Sequence, residues 1–390
     1  MNDRPFLAPS YYNDRRRVCM LIVTHDCNLN CTYCYESFKD RKRMDFSMAQ
    51  RILLREIEFV KNSNEFDELQ VDFMGGEPLM NFDLIKDVVE WLESRSLTVP
   101  FVCFASTNGT LLDENRKKWF RQHKDTICLS VSYDGTEAMQ EENRHTKNSK
   151  IDLDFFYDLW PHQSLHMTVS RKTLPNLFEG VKRLMTTGWE VEVALAQGED
   201  WTREDALILT RELKKFSKAY FQGEIRSVFN VLQRDVFSIG DRKTKRVARK
   251  YCGTGTNMIT YEIDGSTYGC HMFTPLVLGL KKALELKEYD FSSGEMQLDE
   301  RCHNCVLAEF CSTCMGFNYR YRGSLEKKDM RFCIMNLAIA KCVCEFQAML
   351  LSQKSTYYQE DAEYAKAVIS AFPILEKFDC EYSEDPFVLE

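Results

Sequence analysis

No stretch of the 390-residue chain is apolar over the length needed to cross a bilayer. Its first residues, Met-Asn-Asp-Arg-Pro, lack the charged-then-apolar pattern of a secretion signal. The expectation is a cytoplasmic protein with no membrane partner. An excess of positive charge is also missing: 51 basic against 59 acidic residues give a net charge of −8, which argues against a broad nucleic-acid surface. The short basic runs Arg15-Arg16-Arg17 and Arg41-Lys42-Arg43 read as solvated faces. Repeats and low-complexity linkers are absent too. What remains is a chain, 44% hydrophobic, long enough for one large domain or for two parts packed as one body.

Cysteine is the residue present in excess, at 16. In a reducing compartment disulfide scaffolding is not the default explanation, which leaves metal binding, catalysis or burial. Cys19, Cys103 and Cys128 sit inside apolar runs and read as small core hydrophobes. Cys342 and Cys344 fall in a helical, apolar stretch; residues two apart on a helix point away from each other, so chelation by this pair is not expected. Cys380, near an acidic tail, is uninformative. Ten others lie in close-spaced groups.

Strand and helix patterns alternate up to about residue 223 of the chain. Strands are expected near 18–24, 69–74, 100–106, 127–133, 165–170 and 190–196. Helices are expected from Ser47 as a cap, then over 82–93, 113–123, 152–160, 177–185 and 202–220, with two more near 334–353 and 358–371. Six consecutive βα units imply a parallel sheet, either open or a partial barrel. After about residue 223 the alternation stops.

The unusual residues fall at the carboxyl ends of strands. Cys27, Cys31 and Cys34 follow the first, Gly75-Gly76-Glu77-Pro78 the second, Thr107-Asn108-Gly109 the third, and Ser132-Tyr133-Asp134-Gly135 closes the fourth. Ligands bind at that rim in parallel α/β architectures. Turn chemistry alone accounts for any one motif, but poorly for all four beside three thiols. Three thiolates on a short loop suit three irons of a 4Fe–4S cluster, with the fourth iron open; a zinc knuckle with a distant ligand is the structural alternative.

Cys27-x3-Cys31-x2-Cys34, with Tyr33, resembles the defining motif of radical S-adenosylmethionine (SAM) enzymes, and Gly75-Gly76-Glu77-Pro78 resembles their motif for the SAM amino group. The resemblance covers roughly residues 16–222. It implies a partial (βα)6, TIM-like barrel in which Ser132 meets the SAM ribose, Arg144 pairs with its carboxylate, and Thr107 and Asn108 line the same rim. It also implies a reductive cleavage of SAM to a 5′-deoxyadenosyl radical.

Farther on come Cys252, Gly265, Cys270, Cys302, Cys305, Cys311, Cys314 and Cys333. Paired thiols of this kind also occur in zinc ribbons. The pattern resembles the SPASM extension of radical SAM enzymes, which carries auxiliary 4Fe–4S clusters. The resemblance implies one cluster on Cys302, Cys305, Cys311 and Cys333, and another on Cys252, Cys270 and Cys314, three clusters in all. The Cys311–Cys314 pair has two intervening residues where the usual pattern has three. Between Cys252 and Cys270 there is no further cysteine, only Thr254, Thr256 and Met258, which points to an open auxiliary iron.

The implied layout is an N-terminal segment (1–15), the barrel (16–222), the SPASM part (223–350) and a helical tail (351–390). The implied activity is that of a peptide maturase forming a thioether or carbon–carbon crosslink in a ribosomally made peptide, with His271 as acid or base. An anaerobic sulfatase maturase making formylglycine from Cys or Ser is the alternative; that family typically carries an aspartate where this chain has His271. A zinc-dependent structural protein is the non-enzyme reading. The expected partners are a peptide or protein substrate and an electron donor such as flavodoxin or ferredoxin. Cys27 comes too early for an N-terminal leader-binding domain, so a precursor peptide would be held by the exposed sheet edge or the C-terminal part through strand addition, or brought by a separate leader-binding protein.

Overall fold

A computed structural model describes residues 15–241, 252–293, 299–311, 313–353 and 362–379; Cys380 lies outside them. The chain opens with β1 (Arg16–Thr24), α1 (Phe46–Lys61), β2 (Glu68–Gly75), α2 (Phe82–Glu93), β3 (Phe101–Thr107), α3 (Glu114–Gln122) and β4 (Ile127–Val131). Next are α4 (Glu137–Arg144), α5 (Leu153–Leu159), β5 (Leu165–Val169), α6 (Leu177–Thr186), β6 (Val191–Leu195) and α7 (Arg203–Phe221). After the short α8 (Phe237–Gly240) come β7 (Met258–Tyr261), β8 (Thr267–Tyr268), α9 (Pro275–Leu278) and α10 (Leu280–Glu285). The chain continues with α11 (Met315–Arg322), α12 (Arg331–Ser352) and α13 (Ala362–Lys377).

The caps explain several boundaries. Asp113 and Asp152 accept from the backbone N–H three residues on, and Thr202 with Asp205 forms a reciprocal capping box. At α1 the expected cap is corrected. Asp45 accepts from Met48 N at 2.8 Å, and Ser47, already inside the first turn, donates to the same carboxylate at 2.7 Å.

The described residues form two compact units. The first, 15–166 with 252–293, is built on a six-stranded sheet in the order β4-β3-β2-β1-β7-β8. The first five of these strands are parallel, and β8 runs antiparallel to β7. β5 and β6 pair in a two-stranded sheet of their own. The strand beyond β1 is therefore β7, from a region where the alternation pattern has ended. Asn257 secures it: its O accepts from Val18 N at 2.8 Å and its side chain donates to Arg16 O at 2.9 Å. An otherwise open edge of β1 is thereby paired.

The period of two along each strand separates two faces. Cys19, Leu21, Val71, Phe73, Cys103, Ala105, Ile127 and Leu129 share one and are fully buried, with α1 packed on β1 and β2. The register puts Met20, Gln70, Asp72, Phe104, Cys128, Ser130 and Thr260 on the other. Cys128 is thus only half-buried, because it alternates with Ile127 and not with Cys103.

In the second unit, 167–241 with 299–353 and 362–379, α12 packs against α7 and α13. Its Phe346 ring meets Tyr220 and Phe221 at 5.5 and 5.4 Å. By length and composition α12 is apolar enough to cross a membrane, which corrects the reading that no run approaches that length; 61% of its most apolar window is covered inside the fold. Cys342 and Cys344 point to different neighbours, the thiols donating to Thr210 O on α7 and Val368 O on α13.

Candidate cofactor site

The loop holding Cys27, Cys31 and Cys34 leaves β1 at Thr24 and is clasped by the end of β2. Gly75 has φ +144°, and a Cβ there would lie 2.1 Å from Thr24 O; one on Gly76 would lie 2.4 Å from Asp26 O. Only glycine admits this approach of two backbones. Gly76→Ala is expected to cost about 1–3 kcal/mol in strain, read by denaturant unfolding. An unchanged value would refute the close-approach argument.

Glu77 is buried and fully engaged. Its carboxylate accepts from Thr107 Oγ1 at 2.7 Å, Asn108 N at 2.8 Å and Leu79 N at 3.1 Å. Burial raises its pKa, and these hydrogen bonds oppose that rise. Pro78 opens the short 3-10 turn that Glu77 caps. Asn108 donates to Asn28 Oδ1 at 2.9 Å, and Asn28 in turn donates to Thr110 Oγ1 at 2.8 Å. Ser132 N donates to Thr107 O at 2.9 Å. The motifs after four strands are thus linked to one another and to the cysteine loop.

A second network holds the far side of that loop. Tyr33 donates to Asp134 Oδ2 at 2.6 Å, Asn143 donates to the same oxygen at 3.1 Å, and Thr32 N donates to Asn143 O at 2.8 Å. Arg144 Nε lies 3.1 Å from Asp134 Oδ2 but off the N–H direction, so that contact is ionic; its guanidinium carbon sits 5.5 Å from the Tyr33 ring centroid. Burial raises the Cys31 thiol pKa, an effect that Arg144 opposes, and burial pushes Cys27 up to about 11. Lys39 also lies in reach of the Cys34 and Cys27 sulfurs. Just before the loop, buried His25 joins Glu262 (Nε2 to Oε1, 2.7 Å) to Asp40 (Nδ1 to Oδ1, 3.0 Å).

On the polar face of the sheet, Arg16 donates to Gln70, and Gln70 donates to Asp72 at 2.7 Å. Burial pushes the Asp72 carboxyl up to about 6 and that of Glu36 up to about 8. His271, which follows β8, is within electrostatic reach of both. Burial lowers its pKa, while Glu36 and Asp72 pull it back up. Its Nε2 lies 3.4 Å from the Tyr35 hydroxyl and its Nδ1 3.6 Å from Cys270 Sγ. Thr254, in the stretch without a third cysteine, places its hydroxyl 3.0 Å from Cys252 Sγ and also hydrogen-bonds Cys270.

The other group of thiols belongs to the second unit. Cys302, Cys305, Cys311 and Cys333 line one cavity of about 240 Å³, together with Asp299, Arg301 and Lys328. Cys314 is half-buried just ahead of α11. Among the described residues no three His, Cys, Asp or Glu side chains are grouped to hold a metal ion; the four thiols line one cavity wall, and four thiolates are the donor set of a 4Fe–4S cluster. Sequence reasoning missed His25, Glu36, Asp72 and Lys328. Each is an ordinary polar residue whose burial depends on distant chain segments.

A family model described as the radical SAM superfamily matches residues 21–154. An uncharacterized protein of Methanocaldococcus jannaschii is 32% identical over 182 residues, which are 45% of this chain and 60% of that protein, less than two thirds of its length. A cysteine-type anaerobic sulfatase-maturating enzyme of Clostridium perfringens is 23% identical over 78% of this chain and 89% of its own. PqqA peptide cyclase of Granulibacter bethesdensis is 22% identical over 75% of this chain and 78% of its own. Among solved structures, native anSMEcpe with bound AdoMet superposes with a TM-score of 0.60 at 18% identity, covering 87% of this chain and 99% of its own. Streptococcus suis SuiB bound to precursor peptide SuiA gives 0.54 at 15%, covering 80% and 74%. At these identities the structural likeness establishes the fold.

Proposed function

We propose that this chain, which carries a radical SAM domain at residues 21–154, is a SAM-cleaving peptide maturase that forms a thioether or carbon–carbon crosslink in a ribosomally made peptide. One observation carries the reading: Glu77, Asn108 and Asn28 join the three-cysteine loop to the ends of the neighbouring strands, so thiols and ligand-binding rim form one site. Cys27, Cys31 and Cys34 hold the irons, and the cationic Lys39 and Arg144 offset the negative charge that bound thiolates bring. Arg144 offers the rest of its fork to the SAM carboxylate, with Asp134 fixing its place. Ser132 faces the ribose. A 4Fe–4S cluster held by Cys27, Cys31 and Cys34 would supply the electron for reductive cleavage of SAM, the chemistry that makes hydrogen abstraction from a peptide possible. His271 serves as acid or base beside the peptide. Cys252 and Cys270, with the Thr254 hydroxyl beside both sulfurs, would serve a first auxiliary cluster, and flavodoxin or ferredoxin would supply electrons.

Reduced enzyme given SAM and precursor peptides should yield 5′-deoxyadenosine and a peptide lighter by two hydrogens. An aldehyde at Cys or Ser would replace this reading with formylglycine formation. Anaerobic protein should hold about twelve irons per chain, four for each cluster; zinc with little iron would remove both readings.

Asp72 supplies a test with a definite sign. Its folded pKa of about 6 lies above the unfolded value of about 4. The buried carboxyl carries no penalty at low pH, and stability falls as pH rises between those values. Asp72→Asn should match the parent near pH 4 and be more stable by about 2–3 kcal/mol at pH 7, while crosslinking declines. Equal stability of the two proteins across that range would refute the burial argument.

A further inference from the structure

The run Glu326-Lys327-Lys328-Asp329 has the composition of a solvated loop, yet Lys328 is only 7% exposed. A buried ammonium needs compensation. Among the described residues Lys328 has no carboxylate within ion-pair range; its Nζ donates to Cys311 Sγ. Of the acids on the cavity wall, Asp299 is already taken, since Arg301 binds both of its oxygens at 2.8 and 2.5 Å. Asp299 acts on Lys328 through the backbone, accepting from Lys328 N at 3.1 Å and so fixing where that side chain starts. Cys302, Cys305, Cys311 and Cys333 share the cavity wall with it. Four neutral thiols would leave this cation unbalanced. An anionic iron–sulfur group would balance it.

We propose that Lys328 is the charge partner of a cluster held by Cys302, Cys305, Cys311 and Cys333, donating to the Cys311 sulfur and raising the reduction potential of that cluster. The inference rests on the reading of the cavity as an auxiliary-cluster site. Adding an electron increases the negative charge in the cavity, so a fixed ammonium favours the reduced state over the oxidised one. An N–H···S hydrogen bond acts in the same direction, and burial keeps water from screening either effect. Leu307, Ala308 and Met330 on the lining add no charge; of the two further acids there, Asp379 pairs with Arg203, and neither it nor Glu326 is within ion-pair range of Lys328.

The test is an iron assay and an EPR-monitored redox titration on anaerobically purified full-length protein. Cys302→Ala identifies which signal belongs to this cavity. In Lys328→Gln that signal should keep its iron and lose about tenfold in its reduction equilibrium, ~59 mV downward for one electron. Lys328→Arg, which keeps the charge, should stay close to the parent. Loss of the iron from Lys328→Gln alone, with Lys328→Arg intact, would also support a charge partner. An unshifted signal in Lys328→Gln overturns the proposal, as does equal iron loss from both variants. If Cys302→Ala removes no iron from the parent, the cluster reading itself fails and takes the proposal with it.

Discussion

Glu77→Ala lowers the unfolding free energy by about 3 kcal/mol or more and, on the proposed reading, abolishes detectable SAM cleavage. The first effect follows from what the carboxylate does in the fold. It accepts three hydrogen bonds, from Thr107 Oγ1, Asn108 N and Leu79 N, while being 2% exposed. Alanine strands those donors in a site that water reaches poorly, and each bond to a charged acceptor is worth about 1.5–3 kcal/mol, with incomplete additivity. The second effect follows from position. Asn108, released from Glu77, no longer holds Asn28, and the cysteine loop loses its tie to β3. Denaturant unfolding of the iron-free protein separates this account from one in which Glu77 serves only the SAM amino group. A variant with parental stability and lost cleavage would favour the latter.

Removing one partner of the His25–Glu262 pair should be nearly as damaging. Both side chains are about 5% exposed, and His25 also reaches Asp40. His25→Leu leaves Glu262 buried without its cation, a loss of about 3–5 kcal/mol for pairs of this kind. The double variant His25→Leu/Glu262→Leu removes the charge along with its partner and should recover much of that loss. A double-mutant cycle measures the difference. If the double variant is as unstable as the two single losses added together, the pair is not coupled and its role is packing alone.

The first half of the fold was legible because local rules and tertiary structure agree there. Apolar, β-branched-rich runs mark β1 to β4, and Asp113, Asp152 and Thr202 mark helix starts by side-chain chemistry that acts within three residues. α4 escaped because Glu137–Arg144 is mostly polar and its buried residues are Gln140, Asn143 and Arg144 beside Met139. β7 escaped because a strand of four residues has no room to display a period. In the candidate site the thiols declared themselves by spacing. Lys328 and Asp72 did not, since nothing local distinguishes a buried charge from a solvated one.

The pairing of β7 with β1 sets an order of events during synthesis. Val18 and Met258 are partners across 240 positions, and His25 meets Glu262 across nearly as many. While the ribosome is still making the middle of the chain, β1 has β2 on one side and nothing on the other, and the histidine ahead of Cys27 lacks its acid. The ties of the cysteine loop to Gly75, Gly76, Asn108, Asp134 and Asn143 need only the first 144 residues, and the His25–Glu262 clasp is added when residue 262 has emerged. Contacts this distant in sequence form late. On the proposed reading of Cys27, Cys31 and Cys34 as iron ligands, the interval before that last clasp forms is when iron and sulfide reach them with the least rearrangement.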